Sequence, residues 1–268
     1  MPILIILLLL AAAYVLALRC RRGHQDLPTL RGWNYAHRGL HGNGVPENSM
    51  AAFRLALEHG YGIELDLHLM ADGRLAVLHD ASLKRTAGAE VFIEDLTAED
   101  LPQYRLEGTE EPIPLFTQVL ELFAGKAPMI VELKAERGNH AALCRAACDL
   151  LDQYAGPYCI ESFDPRCILW LRKNRPEVIR GQLSQNFLAD KGSNLSWPLR
   201  LVLTNLLTNF MTQPDFIAYN FADRKGLAPR LCHKLWGCQN VSWTLRSQAD
   251  LDTAVAEDSL PIFEYFQP

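Results

Sequence analysis

The sequence has no excess of positive charge and no cysteine pairing pattern. Lys and Arg number 26 against 31 Asp and Glu, a formal charge of −5. No basic, aromatic-interleaved patch stands out, which argues against nucleic acid as a partner. Seven cysteines, an odd number, contain no CxxC spacing, so a disulfide framework is not expected and reduced thiols are the default. Cys144 and Cys148, one helical turn apart, are expected on a buried helix face rather than at a metal. Low-complexity runs, internal repeats and linkers are also missing. What is present is ordinary globular material: 268 residues, 49% hydrophobic, 21% charged and 9% aromatic, enough for one sizeable core.

The N-terminus stands apart. Residues 1–18 carry no charged side chain, and Arg19, Arg21 and Arg22 come directly after them. At about 1.5 Å per residue the run reaches about 27 Å, the short end of a membrane span. No positive region precedes the run and no small-x-small cleavage site succeeds it, which argues against a removed signal peptide. An uncleaved transmembrane anchor over 1–22 is therefore expected, and its arginine collar predicts a domain on the cytoplasmic side.

From residue 33 onward, strand-like runs alternate with helical patterns. Strands are expected at 33–37, 62–69, 74–79, 128–133, 157–162, 177–183, 215–220, 239–244 and 261–266. Helices are expected at 49–59, 115–124, 140–153, 165–174, 226–235 and 247–256. Such alternation predicts an α/β chain folded as a TIM-like (β/α)8 barrel over 33–268. Nine strand signals exceed eight slots. Ala71-Asp72-Gly73 is a tight-turn signature, so the second and third strands are expected to form a hairpin. Residues 80–112 are polar and turn-rich, a small insertion after the third strand. Residues 187–213 are unusually apolar and fit either a barrel helix with long flanks or an amphipathic lid or membrane contact.

Strand periodicity locates the chemistry. In 62–68, Glu64, Asp66 and His68 share one face while Ile63, Leu65 and Leu67 take the other. Two carboxylates on one buried face need either a proton or a cation. Glu132 and Lys134 repeat the pattern at a strand's C-terminal end, where barrel active sites form. Glu64, Asp66 and Glu132 would make an all-oxygen site suited to Mg²⁺ or Ca²⁺ rather than zinc, the alternative being strand-end ion pairs with Lys134. His37 and His79 each end a strand beside an arginine and carboxylates, as a general acid/base pair would. The other histidines are expected to be structural, with His41 and His68 the least certain of them.

These residues resemble a known family. His37-Arg38-Gly39, Pro46-Glu47-Asn48-Ser49, Glu64-Leu65-Asp66, Asp72-Gly73, His79-Asp80 and Leu83-Lys84-Arg85-Thr86 are similar to motifs of the glycerophosphodiester phosphodiesterases. Val131-Glu132-Leu133-Lys134, Glu161-Ser162-Phe163-Asp164 and Ser242-Trp243-Thr244 continue in the same order. The resemblance implies a TIM-like barrel that hydrolyses glycerophosphodiesters to glycerol 3-phosphate and an alcohol with a divalent cation. It implies Glu64, Asp66 and Glu132 as metal ligands, and His37 and His79 as catalytic acid and base without saying which is which. Arg38 and Lys134 would neutralise the phosphate, Glu47 and Asn48 would position metal or substrate, and Trp243 would wall the pocket. One departure stands out: the family usually closes on a Thr-Asp-x-Pro-like signature, whereas this chain has Glu264-Tyr265-Phe266-Gln267-Pro268, with Glu264 as the candidate replacement. The anchor and the apolar 187–213 stretch tilt the expected substrate toward lipid-derived phosphodiesters. A lysophospholipase D-like activity on membrane lipids, or a silent phosphate-binding barrel, are the alternatives.

Overall fold

A computed structural model describes residues 1–192 and 194–268. Among them, nine strands run in chain order as β1 (Tyr35–His37), β2 (Gly62–Leu69), β3 (Leu75–Val77), β4 (Met129–Leu133), β5 (Tyr158–Ser162), β6 (Arg180–Ser184), β7 (Phe216–Asn220), β8 (Gln239–Leu245) and β9 (Ser259–Phe263). The helices are α1 (Pro2–Ala17), α2 (Met50–Glu58), α3 (Lys84–Ala87), α4 (Phe116–Phe123), α5 (His140–Leu151), α6 (Pro165–Asn174), α7 (Trp197–Thr204), α8 (Asn209–Thr212), α9 (Leu227–Trp236) and α10 (Gln248–Ala256). The sheet order is β1-β9-β8-β7-β6-β5-β4-β2-β3, and β1 also pairs with β2. Every pairing is parallel except β2–β3. The eight parallel strands therefore close a (β/α)8 barrel, and β3 is the expected hairpin partner laid against β2.

The alternation of side chains along each strand divides the interior in two. Ile63, Leu65 and Leu67 point outward into a large core with Phe53, Phe116, Phe123, Leu143 and Ile168 from the surrounding helices. Inward residues such as Tyr35, Ile130, Phe216, Val241 and Ile262 plug the barrel axis. The plug depends on Gly181: a Cβ there would lie 2.0 Å from the Phe216 ring, so the aromatic fills the barrel because its neighbour is glycine. Local caps start the helices where the sequence places them. Ser49 Oγ accepts from the Ala52 amide at 3.0 Å, Asp164 caps α6 and Ser247 caps α10. The 80–112 insertion builds a small core of its own from Leu83, Ile93, Leu101 and Leu106 against Leu78. Cys144 and Cys148 lie buried on the inner face of α5, as helical spacing requires.

The N-terminus differs from expectation. The helix stops at Ala17, and its 16 residues reach about 24 Å against the roughly 30 Å of a bilayer's hydrocarbon. Among the described residues, no helix is long and apolar enough to cross a membrane. The expected transmembrane helix over 1–22 is corrected accordingly. The physical reason lies in the residues just beyond α1. Leu18 is fully buried against Leu206, Ile217 and Cys232, Arg21 pairs with Asp215, and Arg22 stacks over Trp236 at 5.4 Å. Two of the three collar arginines are therefore taken up by the barrel. The helix itself remains exposed, with Ile3 at 72% and Leu9 at 64%. The apolar 187–213 stretch forms α7 and α8; no residue of α7 is buried, and Trp197 is 66% exposed.

Candidate active site

The parallel register assembles the site at the C-terminal ends of the strands. His37 is in register with Glu64, Asp66 with Glu132, and Glu132 with Glu161, so inward side chains from β1, β2, β4 and β5 stand side by side. Glu64, Asp66 and Glu132 are all buried, with oxygens within 4.8 Å of one another. The acidic cluster expected from periodicity is therefore formed. Glu161, also buried, is a fourth carboxylate, one to which the sequence reading gives no role. Its alternation with Ile160 in β5 is the signal available for it.

Four buried carboxylates stand against few positive charges. Lys134 Nζ lies 2.6 Å from Glu132 Oε1 and 3.0 Å from Asp66 Oδ1. Arg38 Nε is 3.5 Å from Asp66 Oδ2, while its backbone N–H donates to Glu64 at 3.1 Å. Burial alone would raise Asp66, but Lys134, His79 and Arg38 hold it well below the usual carboxylate range. Burial wins at the other three. It pushes Glu132 up to about 7 against the pull of Lys134, and raises Glu64 and Glu161 well above their ordinary values with help from neighbouring carboxylates. Asn48 Oδ1 and Glu161 Oε2 find no hydrogen-bond donor among the described residues. A cluster that must otherwise hold protons, with acceptors left over, fits a hard divalent cation held by Glu64, Asp66 and Glu132.

The two histidines are built alike. His37 Nδ1–H donates to Glu264 at 2.7 Å, and Arg246 donates to the other oxygen of that carboxylate at 2.7 Å from Nε. His79 Nδ1–H donates to Asp80 at 2.6 Å, and Arg85 Nε donates to the other Asp80 oxygen at 2.6 Å. Burial lowers His37, partly offset by Glu264, and lowers His79 to about 4. In the sequence Glu264 is visible only as a candidate replacement, and Arg246 carries no signal at all.

The loop after β1 carries three more of the expected residues. Arg38 and Asn48 take left-handed backbone (φ 56° and 52°), a conformation that costs non-glycine residues energy. The Asn48 amide donating to the Arg38 carbonyl at 2.9 Å ties the two together. Gly39 is required by the same turn: its φ is 79°, and a Cβ would lie 2.8 Å from the Ala52 Cβ. Asn48 Nδ2 donates to Asp66 at 2.8 Å. Glu47 receives Arg38 at 3.0 Å and Arg85 at 2.6 Å, so its carboxylate orients arginines. His41 sits behind His37, with Nε2 3.9 Å from Glu264. His68 is structural: it bonds Glu94 and the His79 carbonyl beneath the insertion.

These groups surround a cavity of about 230 Å³ walled by Trp243 and Phe163, which meet edge-on with ring centroids 5.6 Å apart. A larger cavity of about 500 Å³ lies outside the barrel wall against α9. It lacks the carboxylate cluster and the paired histidines, so the smaller one is the candidate site. The smaller cavity can grip an anion between Arg38 and Lys134, hold a cation on three carboxylates, and give or take protons at two imidazoles.

A model of the Glycerophosphoryl diester phosphodiesterase family matches residues 37–255. A glycerophosphodiester phosphodiesterase of Bacillus altitudinis is 41% identical over 107 residues, 37% of this chain and 43% of the relative. A lysophospholipase D of Rattus norvegicus is 36% identical over 132 residues, 44% of this chain and 40% of the relative. The matched stretch thus spans less than half the length of either. The fold resembles an Oleispira antarctica phosphodiesterase solved with sn-glycerol-3-phosphate, at a TM-score of 0.71 and 21% identity, covering 87% of this chain and 92% of that one. It also resembles a glycerophosphoryl diester phosphodiesterase from Silicibacter pomeroyi, at a TM-score of 0.72 and 20% identity, covering 90% and 94%.

Proposed function

Because the chain belongs to the glycerophosphoryl diester phosphodiesterase family, we propose that it hydrolyses glycerophosphodiesters to glycerol 3-phosphate and an alcohol. The observation that carries this reading is the pair of carboxylate-backed imidazoles, His37–Glu264 and His79–Asp80, sharing one cavity with the acidic cluster. A phosphodiester brings one negative charge, and attack adds more to its non-bridging oxygens. Arg38 and Lys134 line the cavity where that charge would sit. One imidazole, neutral and open at Nε2, takes the proton of the attacking hydroxyl, and the other, entering the step as the imidazolium with a proton on Nε2, gives that proton to the departing alkoxide. Glu64, Asp66 and Glu132 would hold Mg²⁺ or Ca²⁺, which when bound supplies further charge neutralisation at the phosphate.

The cavity of about 230 Å³ accommodates the glycerophosphate end and leaves the alcohol part toward the mouth. A lysophospholipid is the second reading, favoured by one observation. Trp243, Phe163 and Phe187 form an aromatic row with centroid spacings of 5.6 and 6.2 Å, which ends beside the exposed Leu188. We further infer that the exposed α1 associates with a membrane by lying in one leaflet. The deciding assay offers glycerophosphocholine and a lysophospholipid to the full chain, with and without EDTA. Metal-dependent release of glycerol 3-phosphate from glycerophosphocholine supports the first reading. Turnover of the lysolipid alone moves the function to membrane lipids, and turnover of neither by folded, metal-loaded protein overturns both.

A further inference from the structure

Glu264 occupies the place where the resembling family closes its last strand differently. It comes directly after β9, is buried, and its amide donates to the Leu245 carbonyl at 2.9 Å, so the backbone is pinned to β8. Its two oxygens have separate duties. Oε1 receives Arg246 Nε at 2.7 Å and Nη2 at 2.5 Å, while Oε2 receives His37 Nδ1–H at 2.7 Å. An imidazole bonded through Nδ1–H must present Nε2 to the cavity, and His37 Nε2 indeed lies 3.8 Å from Glu64 in the acidic cluster. A carboxylate in this position sets both the tautomer and the rotation of a histidine ring. The same three-part arrangement, imidazole to carboxylate to arginine, recurs at His79–Asp80–Arg85. There, however, the carboxylate is the adjacent residue in the chain. At His37 it comes from the far end of the sequence, through β1–β9 pairing.

We propose that Glu264, oriented by Arg246, is a positioning residue that holds His37 as the Nδ1–H tautomer with Nε2 facing the phosphodiester. A surface ion pair of Glu264 with Arg246 would leave the ring indifferent to the substitution. The proposal predicts a reversal instead. In Glu264→Gln the arginine keeps the amide oxygen, so the amide nitrogen turns to His37 and donates to Nδ1. The ring proton then moves to Nε2, and the lone pair that the wild-type ring turns to the cavity is lost. The proposal rests on the hydrolase reading above only for its kinetic arm.

The test is long-range ¹H–¹⁵N correlation of the imidazoles in the ¹⁵N-labelled full chain at pH 7.5, with His37 assigned by its loss in His37→Gln. The wild type is expected to show Nδ1–H at His37, and Glu264→Gln to show Nε2–H. Glu264→Gln should lower kcat about 10- to 100-fold with KM held within about twofold, as loss of an outer-shell partner typically does. Glu264→Asp should restore the wild-type tautomer and part of kcat, and serves alone if the glutamine variant does not fold. An Nε2–H tautomer in the wild type, or an unchanged tautomer in the folded variant with unchanged kcat, overturns the proposal. The tautomer is read without substrate, so it decides the positioning role even if the wild type hydrolyses no phosphodiester.

Discussion

Lys134 Nζ lies 2.6 Å from Glu132 Oε1, a carboxylate two residues earlier in the same chain segment, and reaches across to Asp66 at 3.0 Å. One ammonium thus serves two strands. Its effect is unequal: Asp66 stays ionised far below the usual range, while burial lifts Glu132 to about 7. Lys134→Met should therefore destabilise the metal-free protein by about 3–5 kcal/mol at pH 8, the cost of breaking a buried pair. The deficit should shrink at pH 5, where the orphaned carboxyls can take up protons. Urea melts at the two pH values check this, and an equal deficit at both would contradict it.

His37→Ala and His79→Ala should each lower kcat by about 10²–10⁴-fold, the usual worth of a positioned acid or base. Because the His79 ring is a third exposed, its removal should change the melting temperature little, whereas His37→Ala, which strips a partner from the buried Glu264, should lower it. Steady-state kinetics beside thermal melts separates the two effects, and a collapse of both together in His79→Ala would argue for a structural role.

Cation binding should release protons. Glu132 titrates at about 7 and Glu64 well above its ordinary value without a cation, and a ligand must be deprotonated. Affinity for Mg²⁺ or Ca²⁺ should fall about tenfold per pH unit below 7 for each proton displaced. Calorimetry in two buffers of different ionisation enthalpy measures the release directly, and none at pH 7 would contradict a site on these carboxylates.

Glu264 gives the acid limb of stability a defined sign. Burial raises it, but the His37 bond and Arg246 prevail and lower it from 4.5 to about 2. A depressed folded-state value contributes stability that is complete above the unfolded value and is lost as pH falls through the folded one. Between about pH 4.5 and 2, wild type should therefore lose stability faster than Glu264→Gln, as chemical melts at stepped pH would show. Glu64 and Glu161, raised when folded, act with the opposite sign in both proteins and cancel in the comparison.

Removal of residues 1–13 should leave the barrel folded, because the contacts of α1 with the barrel begin at Tyr14, whose hydroxyl donates to Asn205 at 3.3 Å, and at Val15, whose carbonyl accepts from Trp236 at 3.2 Å. Its activity on a water-soluble diester should be retained, while flotation with anionic liposomes should be lost. Flotation that persists would move the membrane contact to the exposed residues of α7, such as Trp197.

Much of this protein is legible in the sequence because strands impose a period of two. That period puts Glu64 and Asp66 on one face and Ile63, Leu65 and Leu67 on the other, and the structure keeps the division. The Ala71-Asp72-Gly73 turn likewise dictates a hairpin, since only a tight reversal joins β2 to β3. Glu161 is open to the same alternation. Tertiary structure alone decided the rest. The apolar run at the N-terminus reads as a span, yet its helix ends at Ala17 because Leu18 and Arg21 find burial and an ion pair on the barrel. Glu264 and Arg246 are ordinary charged residues in sequence, both far along the chain from His37. Barrel closure through β1–β9 brings Glu264 to the His37 imidazole, and Arg246 holds the far oxygen of that carboxylate. Period and spacing are local properties of a chain, whereas the partner of a charge depends on which strand ends a closed sheet makes neighbours.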